Sequence, residues 1–366
     1  MKTIGLLKEN KELSIVALTP ENVKSLSDHY SIFVEKNAGI QAGFTNEAYE
    51  SAGGEVIDDR VLLFNKADIL VTYDGDLEAL KNDRLKTVIS CLPVRDEFEK
   101  IVSLKGKKVN FFSLDMLPRT TIAQAMDVLS SFASLSGYQS VLLGFERLKV
   151  VGPMISGAGG TLYPAKVLIL GAGVAGLQAI ATAKRLGAIV YAFDVRKQTK
   201  TEVESLGAKF IEIEGAIEDN HSGGYAIQQS NEFNRLVQKT IANAVSDFDL
   251  IITTAKIPGK KAPILITKEA IAKMKEGTII IDLAASTGGN TEPSEENYAT
   301  ILGASHLYND VPTSASILLG NNMQSYLNYF RTHEEQILHD EILQSTLIIE
   351  DGKLVNKKII EQIKEY

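Results

Sequence analysis

The sequence predicts an α/β protein with two parallel sheets covered by helices, and three observations carry that prediction. Short apolar runs alternate with segments of helical period from end to end, the pattern expected when each parallel strand needs a crossover helix to bring the chain back. One of these runs leads directly into a G-x-G-x-x-G turn and then a helix-forming stretch. The chain has 366 residues, which at about 100–200 residues per domain makes two domains the expected number.

In chain order, Ile4–Leu7, Ile69–Thr72, Val88–Cys91 and Val109–Phe112 read as strands of a first unit. Arg119–Leu148 contains no proline and is helix-favouring apart from Gly137 and Gly144, so it reads as one or two helices linking the units. Lys166–Leu170, Ile189–Phe193, Lys209–Ile213, Leu250–Thr253 and Thr278–Asp282 read as strands of a second unit. Between them Gly215–Phe233, with His221-Ser222-Gly223-Gly224-Tyr225-Ala226, has no hydrophobic period, and a loop of that length is either functional or disordered. Thr313–Arg331 places Ile317, Leu318, Met323, Tyr326, Leu327 and Phe330 near helical spacing, so a long helix returns the chain to the first unit. The expected domains are therefore residues 1–135 plus 313–366, discontinuous, and 136–312, with a boundary near Ser136-Gly137. Leu347–Val355 reads as a hairpin turning at Asp351-Gly352.

Composition excludes several classes of function. Lys and Arg number 38 against 46 Asp and Glu, a net charge of −8, and the densest basic stretch, Lys105–Lys108, is broken by glycine; neither nucleic acid nor an anionic membrane surface is the expected partner. Cys91 is the single cysteine, so there is no intrachain disulfide or Cys-rich metal site, and a reducing compartment is the natural setting. No metal site is expected. The N-terminus meets charge too early for a signal-peptide core. The longest mostly apolar run, Val167–Ala183, is interrupted by glycines, Gln178 and Thr182, which argues against membrane insertion.

That run has a better use. In Gly171-Ala172-Gly173-Val174-Ala175-Gly176 the first glycine permits a tight turn, the second lets backbone approach a pyrophosphate, and the third lets the helix pack on the sheet. The helix N-terminus then offers free N–H groups to the anion. Alone the motif is weak evidence, since a structural glycine turn looks the same. Here the strand–turn–helix–strand context is complete and Asp194 ends the next strand. Asp194 is placed to accept from the adenosine ribose hydroxyls and to repel a 2′-phosphate. Val195 and Arg196 continue the same stretch; an Arg at this place is able to serve that phosphate, so NAD(H) is favoured with NADP(H) left open.

A second constellation is Arg119 followed by Gln124, Asp127, Ser130 and later Tyr138. On a helix, Gln124, Asp127 and Ser130 would share one polar edge, which by composition alone is a solvated face. Its place near the expected domain junction, where a cleft would lie, is the one feature favouring function.

These residues resemble a known family, the alanine dehydrogenases and the NAD(H)-binding first domain of proton-translocating NAD(P) transhydrogenases. The likeness spans nearly the whole chain and is strongest in Gly171–Ala188, Arg119–Tyr138, the Gly-Gly-Tyr-Ala loop at 223–226 and Thr253–Gly259. It implies two Rossmann-like domains with an NAD cleft between them. It implies that Arg119, Gln124, Asp127 and Ser130 hold the nicotinamide end, that Asp194 is the ribose carboxylate, that Tyr138, Thr254 and Ala255 belong to the cofactor site, and that Tyr225 closes over the nucleotide.

Chemistry separates the two branches. Reducing a keto acid or imine needs a cation for the substrate carboxylate and an acid/base, whereas hydride transfer between two nicotinamides needs neither. Alanine dehydrogenases carry an Arg, a Lys and a His in the segments matched by Leu13–Ala17, Val71–Tyr73 and Cys91–Pro93; here Ile15 stands in the first, and the others lack Lys and His. The resemblance thus implies the first, separately encoded portion of a transhydrogenase alpha subunit, passing hydride to NADP(H) on a partner subunit. It further implies membrane-spanning partner chains that translocate protons, a homodimer, and a cytoplasmic location on the inner membrane face through those partners. Ile122 stands where members commonly carry a second Arg, and Ala285-Ser286-Thr287 replaces a Val-Glu-containing stretch. An alanine dehydrogenase-like enzyme and a non-catalytic NAD sensor remain the alternatives.

Overall fold

Strands buried on both faces read as nearly continuous apolar runs, and each side of such a strand joins a different core. In the computed structural model, which describes residues 1–75, 77, 85–95, 97–212, 231–257, 259–293 and 299–364, this is how the second unit is built. Val167 and Ile169 enter one core with Leu250, Ile252, Ile279 and Ile281. Leu168 and Leu170 enter the other with Ile251 and Ile280.

The chain divides into two compact units, residues 1–132 with 309–366 and residues 133–308. The second unit holds six parallel strands in the order Lys209–Phe210, Ile189–Phe193, Lys166–Leu170, Leu250–Thr253, Thr278–Asp282 and Ala299–Gly303. Numbered along the chain this is 3-2-1-4-5-6, the doubly wound Rossmann order, whose reversal point beside the first strand is where ligands settle.

The first unit repeats that order with Glu55–Ile57, Tyr30–Glu35, Lys2–Leu6, Ile69–Val71, Lys86–Ser90 and Val109–Ser113, all parallel. Leu347–Glu350 then adds an antiparallel strand against Val109–Ser113, and Lys353–Leu354 pairs with it as a hairpin. Asp351 and Gly352 take φ of 42° and 73°, the left-handed pair that a two-residue turn between twisted strands requires.

The returning helix runs Pro312–His333, with proline in its first turn, where its missing N–H is not needed. Its buried face is Ala315, Leu319, Met323, Tyr326, Leu327 and Phe330, so Leu319 replaces Ile317, which is exposed.

Three expectations change. The linking segment is not helical throughout: Ala123–Met126 is a 3-10 turn and the α-helix begins only at Val128, ending at Arg147. The third strand of the second unit stops at Phe210, and Ile213 lies outside the described residues, as do His221, Gly223, Gly224 and Tyr225. Three strands are additional, Tyr30–Glu35, Glu55–Ile57 and Ala299–Gly303, together with an exposed hairpin of Ile155–Gly157 and Gly160–Leu162.

Candidate functional site

In the second unit the fingerprint turn sits directly after the central strand. Gly171 adopts φ 103°, and a β-carbon there would lie 2.4 Å from Thr254 Oγ1, so conformation and space both demand glycine. The Thr254 hydroxyl donates to the Gly171 carbonyl at 3.1 Å and its N–H donates to the Leu170 carbonyl at 2.8 Å. At Gly176 a β-carbon would meet the Gly171 carbonyl oxygen at 1.9 Å, which brings the Val174–Arg185 helix hard against the turn. Gly173 holds the N-cap in an extended conformation, and no side chain caps that helix end. Val174 is exposed and Ala175 half-buried beside it. The arrangement suits a pyrophosphate: the first N–H groups of the helix have no side-chain cap, and the turn before them is tightened by glycine.

Within the second unit, the portion of the Val128–Arg147 helix beyond Phe132 presses on this turn. A β-carbon on Gly137 would come within 2.1 Å of the Ala175 carbonyl oxygen. Tyr138, next to it, is exposed.

Asp194, 8% exposed, closes the end of the second strand. One carboxylate oxygen accepts from the Ala172 N–H at 2.7 Å, tying the acid to the fingerprint. The other accepts from the Arg196 N–H at 2.9 Å, and the Arg196 guanidinium is bidentate across both, with Nε at 2.9 Å and Nη2 at 2.9 Å. Val195 between them is half-buried.

Ala255 is fixed by a residue that sequence reasoning passes over. Buried Asn290 accepts from the Ala255 N–H at 3.0 Å and donates to the carbonyls of Ala255 and Pro263, each at 2.8 Å. Asp282 in turn accepts from the N–H groups of Asn290 and Thr291 at 2.7 and 3.0 Å. The available signal is Gly288-Gly289-Asn290, a turn followed by a polar residue with three hydrogen bonds to satisfy.

In the first unit Arg119 and Gln124 are exposed, and Asp127 and Ser130 are half-buried. Asp127 does not share a helical edge with Gln124, because its ψ of 88° breaks the helix. It stands instead just before the helix that opens at Val128, accepting from the Ser130 N–H at 3.0 Å and the Ser130 hydroxyl at 2.6 Å, as a short acidic side chain does at a helix start. Asn322 of the long helix clamps this segment, donating to the Ala125 carbonyl at 2.9 Å and accepting from the Ser131 hydroxyl at 2.7 Å. Ile122 is 64% exposed.

The strand ends of the first unit carry another acid unused by sequence reasoning. Glu9 is buried and accepts from the N–H groups of Tyr73 and Asp74 at 2.7 and 2.8 Å and from the Thr72 hydroxyl at 2.8 Å. Burial pushes its carboxyl up to about 7, against the pull of those donors. Cys91 is buried, and burial followed by the nearby Glu9 and Asp115 raises its thiol well above the usual range. Ile15 is buried too. The segments matched to the alanine dehydrogenase Arg, Lys and His thus hold Ile15, Thr72, Tyr73, Cys91 and Leu92.

Comparison with known proteins identifies the family. The N-terminal domain of the family described as "Alanine dehydrogenase/PNT" matches residues 5–136 and its C-terminal domain residues 140–357. The chain is 37% identical to the first portion of "NAD(P) transhydrogenase subunit alpha" of Rickettsia prowazekii, over 99% of this chain and 98% of that protein. It is 36% identical to the protein of the same name from Rhodospirillum rubrum, over 95% of this chain and 96% of that one. A solved transhydrogenase structure from Sinorhizobium meliloti, 32% identical, superposes with a TM-score of 0.82 over 98% of this chain and 100% of that one. The chain therefore belongs to the alanine dehydrogenase/PNT family.

Proposed function

We propose that this chain is the NAD(H)-binding subunit of a proton-translocating transhydrogenase, and that it acts in direct hydride transfer to NADP⁺ held by a partner subunit. One observation carries the reading. In the second unit the fingerprint turn has room only for glycine at its first and last positions and Asp194 is tied to it, whereas the first unit's matched positions, Ile15, Thr72, Tyr73, Cys91 and Leu92, include no Arg, Lys or His. That combination suits nicotinamide-to-nicotinamide transfer and does not suit an amino-acid dehydrogenase.

The backbone of Gly171–Gly176 would take the pyrophosphate, Asp194 the adenosine ribose, and Thr254 and Ala255 the neighbouring edge. When bound, NADH supplies the hydride. Arg119, Gln124, Asp127 and Ser130 are assigned to the nicotinamide end. The Ser130 hydroxyl donates to Asp127, so its oxygen is left as an acceptor for an amide N–H. Positioning and exclusion of water account for the rate, with no covalent step on the protein.

Among the described residues no helix is long and apolar enough to cross a membrane, so proton translocation is assigned to membrane-spanning partner chains that hold this subunit at the inner membrane's cytoplasmic face. A homodimer is supported by the Ile155–Leu162 hairpin, flanked by Met154 at 58% and Tyr163 at 78% exposure; a two-stranded hairpin is marginal alone and gains from a second copy against it.

The test is cyclic transhydrogenation. Purified protein, NADH, an NAD⁺ analogue and a heterologous NADP(H)-binding transhydrogenase domain should reduce the analogue, and Arg119→Ala should not. Binding without turnover would move the sensor reading forward; NADH oxidation with pyruvate and ammonia would favour the alanine dehydrogenase-like reading.

A further inference from the structure

A carboxylate offers about four acceptor sites, and in Asp194 all four are taken. Ala172 N–H, Arg196 N–H, Arg196 Nε and Arg196 Nη2 lie within 2.7–2.9 Å of its two oxygens. Two of those partners are backbone and immovable without refolding the turn. The other two belong to one side chain. A ribose bringing two hydroxyl donors to this acid has therefore only the guanidinium to displace.

We infer that Arg196 is a specificity-determining residue that competes with the adenosine ribose for Asp194, and that the pair together sets discrimination between NAD(H) and NADP(H). The inference rests on the proposed dinucleotide site and deepens it. While the fork is seated, the pair is neutral and the acid is masked. When ribose hydroxyls replace the fork, the exposed carboxylate repels a 2′-phosphate. If the acid is removed, the guanidinium loses its anionic partner and becomes a planar donor fork suited to phosphate.

The experiment is titration of the full chain with NADH and with NADPH, followed by nucleotide fluorescence, for wild type, Arg196→Gln, Arg196→Lys and Asp194→Asn, with thermal unfolding to verify each fold. Asp194→Asn keeps an amide oxygen for the Ala172 N–H and replaces the oxygen that accepts from Arg196 with an NH2 donor, so it removes both the charge and the acceptor that holds the guanidinium. Arg196→Gln should tighten NADH about tenfold, the worth of one charge-assisted competitor, and leave NADPH weak. Arg196→Lys, a point charge without the bidentate fork, should fall between. Asp194→Asn should shift the NADPH-to-NADH preference at least about tenfold toward NADPH. The inference is overturned if Arg196→Gln weakens NADH or leaves it unchanged, or if a folded Asp194→Asn gains no preference for NADPH. Failure of wild type to bind NADH would instead remove the dinucleotide site itself, a different outcome from either.

Discussion

Gly137 lies so close to Ala175 that a single added β-carbon would sit 2.1 Å from its carbonyl oxygen. The contact fixes the distance between the Val128–Arg147 helix and the fingerprint turn. Alanine is normally worth about 1 kcal/mol over glycine inside a helix. Here the obstacle is backbone, which has no rotamer to escape into, so overpacking decides the sign. Gly137→Ala should destabilise by about 1–3 kcal/mol and weaken NADH binding. Urea unfolding and nucleotide titration check both.

Asn290 joins Ala255 to Pro263 through one buried side chain. Asn290→Ala leaves three backbone groups unpaired, and at about 1–3 kcal/mol for each buried unsatisfied group the loss should be several kcal/mol unless water enters. NADH affinity should fall with it, since the Thr254-Ala255 edge is released. Full nucleotide affinity in a folded Asn290→Ala protein would remove that edge from the site.

Asp127 satisfies two donors of Ser130 at the start of the Val128–Arg147 helix. Asp127→Ala should cost about 1 kcal/mol, the usual worth of an N-terminal cap, while Asp127→Asn keeps most of it. If Asp127 also serves the nicotinamide, turnover with the partner domain drops in both variants and exceeds what their unfolding midpoints explain.

Glu9 gives the first unit a pH signature. Its carboxyl is raised from 4.5 to about 7 by burial, so the folded state holds its proton more tightly than the unfolded chain does. Its contribution to stability is complete below about pH 4.5 and is lost as pH rises through about 7, on the order of 3 kcal/mol at 1.36 kcal/mol per pKa unit. Glu9→Gln cannot titrate, so the gap between the two proteins should close in the variant's favour between pH 5 and 8. A gap constant over that range would place the carboxyl at its ordinary value.

How much of this was legible in the sequence depends on burial. Lys166–Leu170, Ile189–Phe193, Leu250–Thr253 and Thr278–Asp282 are built on continuous apolar runs with charged residues and threonines only at their ends, because both faces are covered along their middles. Tyr30–Glu35 alternates buried and partly open residues, and Ala299–Gly303 is an edge, so neither produces a continuous run. In the site, Gly171 and Asp194 are visible because the motif demands residue types at fixed spacing. Asn290, Asn322 and Glu9 are not, because each answers backbone groups contributed by distant segments. The occupied state of Asp194 was equally hidden, since Arg196 two positions on reads as a phosphate ligand until its hydrogen bonds are seen.

The sheet of the first unit is closed by Leu347–Glu350 and Lys353–Leu354, and this has a consequence for synthesis. As the chain leaves the ribosome, residues 1–132 emerge first yet lack the strand that covers Val109–Ser113, whereas residues 133–308 emerge as one uninterrupted stretch. The later-made half is thus able to finish folding first. The earlier half waits with an open sheet border while residues 133–308 and the returning helix are made, the interval in which stray strand pairing is most dangerous.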